Sequence, residues 1–222
     1  GGWGMVQPLM TSSHFGYGAS SLKTDSDELD MLISHLTKLR GDDTRFVICG
    51  HSTGCQDAVW HASKGAQASK LIGIILQAPV SDRENAATKP ETAELVAKAK
   101  AMVEAGESEA MMPAGSDLAP ITAYRYLSLN GMLGDDDMFS SDLTDAQLSE
   151  RLGGVKVPCL LAMSMADQYV PGHVDKSLIL RRMASAMQGE TSVAEIAGAD
   201  HSLYQGSEQF LESVGAFLKK LE

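Results

Sequence analysis

The chain has 222 residues, 44% of them hydrophobic, enough to bury one sizeable core, and it contains no internal repeat or low-complexity tract. A formal net charge of -11 at pH 7 opposes nucleic acid and anionic membrane surfaces as partners, and leaves a small neutral or cationic molecule as the compatible ligand. No apolar run reaches the roughly 18 to 20 residues of a membrane span and no charged-then-apolar leader is seen, so the expectation is a soluble, cytoplasmic protein.

In chain order, Met5 to Met10 reads as a strand that enters a Ser/Gly-rich loop. The segment from about Ser21 to Leu39 places Leu29, Leu32, Ile33, Leu36 and Leu39 at helical spacing and stops at Gly41. Arg45 to Cys49 is a short apolar run of buried-strand type, followed by a helical stretch from Thr53 to Ala62 and a second buried strand, Leu71 to Gln77. Residues 82 to about 152 break this alternation with two or three helical patterns, including Glu91 to Glu104, and read as a helical lid inserted at the carboxyl ends of the strands. Val155 to Met163 then reads as a strand, Val174 to Met187 as a helix, Ser192 to Ile196 as a short strand and Glu208 to Leu221 as a last helix. Strands alternating with helices imply a single α/β domain with a mostly parallel sheet covered on both faces.

The motif that carries chemistry is Gly50-His51-Ser52-Thr53-Gly54, which fits the G-x-S-x-G nucleophile elbow and sits between a strand and a helix as that turn requires. The reversal forces Ser52 into a strained conformation and lifts its hydroxyl above the sheet, with Gly50 and Gly54 giving clearance. A serine nucleophile needs a base within hydrogen-bond reach and an acid that orients the base, in the order Ser, Asp or Glu, His in this type of fold. Of the six histidines, His14, His35 and His51 precede or adjoin Ser52 and His61 lies along the following helix, which leaves His173 and His201. Asp167, in the loop after the strand ending at Met163, is the preferred acid and His201, after the final short strand, the preferred base. His173, Tyr169 and Tyr17 are candidates for the substrate pocket, and the backbone N-H of Thr53 is the first oxyanion donor.

Cys49, Cys55 and Cys159 form an odd set that suits small buried hydrophobes in a reducing compartment. No CxxC or HExxH pattern is present, and Asp135-Asp136-Asp137 with Asp142 and Asp145 lacks the ligand spacing of a calcium loop, so these carboxylates are read as solvated loop groups and helix caps with no metal and no cofactor. Arg83 and Glu84, beside Asp82, are read either as an ion-pair network that fixes the lid or as substrate contacts.

Several blocks resemble one group of proteins: Ser12 to Ser21, Gly50 to Asp57, Leu76 to Glu84, Gly134 to Asp142 and Ser164 to Pro171. They are similar to the α/β-hydrolase family of formerly unknown function that includes fungal fusarinine-type siderophore esterases, and the likeness spans nearly the whole chain. The resemblance implies a serine hydrolase acting on ester or amide bonds, with Ser52, Asp167 and His201 at the triad positions. It also implies three further strands ahead of residue 5, the last of them carrying the second oxyanion donor, and hence that the chain is N-terminally incomplete. Two other readings share these residues: an acyltransferase using the same triad on an alcohol, and a non-catalytic ligand- or partner-binding module of the same fold.

Overall fold

The computed structural model describes residues 2–222. Four strands, β1 (Phe46–His51), β2 (Leu71–Gln77), β3 (Cys159–Ser164) and β4 (Thr191–Ile196), pair in parallel in the order β1-β2-β3-β4. Helix α1 (Leu22–Arg40) precedes β1, α2 (Gly54–Lys64) links β1 to β2, α7 (Lys176–Ala186) links β3 to β4, and α8 (Ser207–Leu221) follows β4. Between β2 and β3 lie α3 (Asp82–Ala86), α4 (Thr92–Glu104), α5 (Ala123–Asn130) and α6 (Asp145–Leu152). This is the parallel α/β architecture expected of strands alternating with helices.

Helices cover both faces of the sheet, which is why β2 and β3 are continuous apolar runs rather than alternating ones. On one face Leu76 and Leu161 pack with Leu22 and Ile33 of α1, Val59 of α2, Leu148 of α6 and Leu180 and Met183 of α7. On the other, Ile75 and Leu160 pack against Phe217 of α8. The segment between β2 and β3 carries its own small core of Ala99, Met112, Ile121, Ala123, Tyr126 and Leu129. Three of its four helices start at a capping side chain: Ser81 accepts from Glu84 N-H, Thr122 from Arg125 N-H, and Thr144 forms a capping box with Gln147.

Three expectations about elements are corrected. Met5 to Met10 forms no strand; it runs exposed, with Met5 and Leu9 in solvent, because no neighbouring strand among the described residues takes up its N-H and C=O groups. β1 extends to His51 and is only half-covered, and among the described residues it pairs with β2 on one side alone. The strand expected from Val155 begins at Cys159: the Pro158 carbonyl accepts from Ile74 N-H at 2.9 Å, while Val155 lies buried in the core with its carbonyl taken by Gln188 and Gly189 N-H at 3.0 and 2.9 Å. No helix among the described residues is long and apolar enough to cross a membrane.

The acidic run is the other correction, because Asp136 and Asp137 are buried anchors rather than solvated groups. Arg125 Nη1 donates to Asp136 Oδ2 at 2.6 Å and Arg83 Nε to Asp137 Oδ2 at 2.9 Å, with the far side of Arg83 on Asp142. Asp135 takes the Tyr124 hydroxyl at 2.6 Å, and Glu84 accepts from Ser141 N-H and Oγ at 2.9 and 2.5 Å. Of the two readings of Arg83 and Glu84, the ion-pair network is the arrangement found. Unpaired, such charges would cost several kcal/mol each to bury, so the pairing is what lets this polar segment pack down.

Beside this network the carboxyls of Asp57 on α2 and Asp25 on α1 face one another. Burial, then the charges of Asp25 and Asp136, push the Asp57 carboxyl up to about 8 against the opposing pull of Arg125. The native state therefore holds a proton that the unfolded chain releases near pH 4, and stability from this group falls as pH rises between those limits by up to about 1.4 kcal/mol per pH unit. Asp57→Asn is expected to raise the urea midpoint more at pH 8 than at pH 5; an equal change at both values would refute the shared-proton account. Leu161→Ala, at the fully buried centre of β3, is expected to cost about 2 to 5 kcal/mol with the urea slope unchanged.

Candidate active site

Ser52 lies between the end of β1 and the start of α2, with φ of 54°, a left-handed conformation that L side chains seldom adopt. The tight reversal is held by its N-H donating to the Gln77 carbonyl at 3.1 Å and its carbonyl accepting from Cys55 N-H at 2.8 Å. A Cβ on Gly50 would lie 2.1 Å from the Gly54 carbonyl oxygen, so no other residue fits there. A Cβ on Gly54 would meet nothing within 4 Å, so the clearance expected of both glycines is demanded only of Gly50 among the described residues. The Thr53 N-H, one residue before α2, has no acceptor among the described residues and sits at the positive end of the helix.

The other two residues arrive through the pairing of β3 with β4, which continues beyond both strands. Met165 N-H donates to the Ile196 carbonyl at 3.0 Å and Ala166 N-H to the Ala199 carbonyl at 2.8 Å, so the two exit loops stay in register. That places Asp167 and His201 together: His201 Nδ1 lies 2.7 Å from Asp167 Oδ2, and both side chains are buried. Asp167 Oδ1 accepts from Tyr169 N-H at 2.9 Å, and His201 N-H donates to Gln168 Oε1 at 3.1 Å. Because a carboxylate only accepts, His201 carries its proton on Nδ1 and keeps the Nε2 lone pair.

His201, Ser52, His51 and Tyr169 line a cavity of about 340 Å³ together with Val80, Ser81, Asp82 and Asn85. Tyr169 packs edge-on to the His201 ring with centroids 4.7 Å apart, and the His51 ring is tilted against it at 4.8 Å. The Ser52 hydroxyl makes no hydrogen bond among the described residues; contacts of this kind commonly close only around a substrate. Burial, reinforced by Asp136, pushes the Asp82 carboxyl up to about 7, while the Arg125 charge and a bond from Gln56 Nε2 at 2.8 Å oppose the rise. Burial holds His51 below its ordinary value. Burial likewise pushes the Cys55 thiol well up, which suits a buried filler rather than a nucleophile.

Of the pocket candidates, Tyr169 lines the cavity while His173 and Tyr17 do not. His173 is exposed in the stretch that runs over the surface ahead of α7. Tyr17, in a short 3-10 turn (Gly16–Ala19), donates its hydroxyl to Asp117 and accepts at its carbonyl from Arg125 Nε at 3.2 Å, so it fastens the segment between β2 and β3. Sequence reasoning missed Asp82 and Asn85 as cavity residues, although their position just after a buried strand was a usable signal. Among the described residues no group of three or more His, Cys, Asp or Glu side chains is arranged to hold a metal ion.

Residues 1–219 match the profile of a family described as protein of unknown function (DUF1749). The UPF0613 protein PB24D3.06c of Schizosaccharomyces pombe is 32% identical over 89% of this chain and 69% of its own length. The fusarinine C esterase sidJ of Aspergillus fumigatus is 27% identical over 90% of this chain and 74% of its own. The solved structure of the siderophore hydrolase EstB from Aspergillus fumigatus superposes with a TM-score of 0.74 and 28% identity, covering 96% of this chain and 79% of that one. The chain belongs to the DUF1749 family and is a hydrolase of the esterase kind built on the α/β-hydrolase fold.

Proposed function

We propose that this hydrolase works through Ser52 as nucleophile, His201 as general base and Asp167 as the acid that orients the base. The observation that carries the reading is the 2.7 Å contact of Asp167 with His201 Nδ1, in a cavity shared with a left-handed Ser52. Asp167 fixes the tautomer that leaves His201 Nε2 free to take the Ser52 proton as the oxygen attacks an ester carbonyl. The tetrahedral oxyanion is met by the Thr53 N-H at the start of α2, a donor whose loss typically costs about 100-fold to 1000-fold. His201 then hands its proton to the leaving alcohol, and water, activated by the same ring, releases the acid from Ser52.

The segment 82–152 serves as a lid in this reading, since Asp82 and Asn85 at its root form one wall of the cavity. A siderophore-type ester is the substrate class we favour, supported by the likeness to the fusarinine C esterase and the siderophore hydrolase. The cavity's carboxyl and the net charge of -11 are compatible with a neutral or cationic ester and disfavour an anionic one.

Incubation with a fluorophosphonate probe is expected to attach one phosphonyl group, with loss of fluoride, to the wild-type chain and none to Ser52→Ala of unchanged circular dichroism. Asp167→Asn is expected to lower turnover of a model ester by about four orders of magnitude with the fold retained, because the imidazole tautomer is no longer fixed. Labelling of Ser52→Ala at the wild-type rate would sink the assignment.

A further inference from the structure

Gln77, the buried last residue of β2, reaches three parts of the site at once. Its main-chain carbonyl accepts the Ser52 N-H at 3.1 Å and the Cys55 thiol at 3.2 Å, so it holds the elbow. Its side-chain Nε2 lies 3.3 Å from both the His201 carbonyl oxygen and Ser164 Oγ, and its Oε1 meets His51 Nδ1. The next residue, Ala78, is buried with φ of 53° and bonds its N-H to the Ala162 carbonyl at 2.9 Å, so the backbone carrying Gln77 is strained and fixed.

These contacts leave the amide one orientation. A main-chain carbonyl only accepts, so the group facing His201 must be the Gln77 NH₂, and the group facing His51 must be the Gln77 oxygen. His51 Nδ1 is therefore the donor. A neutral imidazole carries one N-H, so the lone pair of His51 sits on Nε2, for which no partner exists among the described residues. His51 lines the cavity 4.8 Å from the His201 ring, and the charged groups that bear on it are His201 and Asp167. A second cation there would oppose the imidazolium that acyl transfer forms on His201.

We infer that Gln77 is a positioning residue that locks His51 as the Nδ1-H tautomer, giving the cavity a hydrogen-bond acceptor beside Ser52, and tethers the main chain of His201. The acceptor favours esters that carry an N-H or O-H donor close to the scissile carbonyl. The kinetic part of this inference rests on the reading of Ser52, His201 and Asp167 as the acyl-transfer group; the tautomer does not.

The test is a long-range proton–nitrogen correlation spectrum of the ¹⁵N-labelled chain at neutral pH, with His51→Phe used to assign the ring. Wild-type His51 is expected protonated at Nδ1 and bare at Nε2. Gln77→Met is expected to release His51 toward the Nε2-H form and to slow fluorophosphonate labelling of Ser52 by about 10- to 100-fold. Gln77→Glu keeps an acceptor for His51 but loses the donor to His201, so it is expected to retain the Nδ1-H signature while still labelling slowly. A wild-type spectrum with His51 protonated at Nε2, or a Gln77→Met chain unchanged in both signature and rate, would overturn the inference. Should Gln77→Met not fold, the wild-type spectrum decides. Should the folded wild-type chain resist labelling at Ser52, the acyl-transfer reading fails, and the spectrum still upholds or overturns the lock.

Discussion

The parallel pairing of β3 with β4 is the constraint on which the site depends. Asp167 and His201 are 34 residues apart, and neither strand alone would bring their side chains within 2.7 Å. The ladder runs from Cys159 opposite Thr191 to Ser164 opposite Ile196 and is then prolonged by two loop hydrogen bonds, from Met165 and Ala166. A slip of one residue would turn every side chain to the other face of the sheet. The fully buried Leu161 and Met163 resist that slip, so packing under the sheet sets the geometry above it.

The second organising element is ionic. In the segment between β2 and β3 a small apolar core is supplemented by two arginines, Arg83 and Arg125, each set against a carboxylate buried at the side chain. Polar fastening of this kind is directional, so it fixes where the cavity wall stands as well as how firmly. Asp82 and Asn85 stand next to Arg83 and Glu84 on α3, and their placement follows from the bonds their neighbours make to Asp137, Asp142 and Ser141.

Much of this was legible in the residues. The strands at Leu71 and Ser192, the helix after the elbow and the helix from about Ser21 were readable because hydrophobic pattern and flanking turn residues agreed. The strand from Met5 was misread because an apolar run says nothing of whether a neighbour exists to pair with it. The acidic run was misread for a related reason: burial of Asp136 and Asp137 depends on Arg125 and Arg83 arriving from 11 and 54 positions away, which local composition does not report. For the site, chain order and strand exits singled out Asp167 and His201, and they do meet. His173 passed the same filter of order but faces solvent, since order cannot say on which side of a loop a ring falls. Gln77 carries no motif; its contacts exist only once β2 is in place between the elbow and the His201 loop.

The arginine clamps differ in exposure along their length, and this grades how the segment is attached. Arg83 reaches inward to the buried Asp137 and outward to Asp142, while Arg182 of α7 reaches from the carbonyls of Ser141 and Leu143 out to a largely exposed Asp145. Counterions screen the outer pairs and scarcely reach the inner ones. Rising ionic strength therefore weakens the outer pairs at Asp142 and Asp145 more than the buried ones at Asp136 and Asp137. The attachment of the segment is thus salt-sensitive at its exposed pairs and salt-resistant at its buried ones.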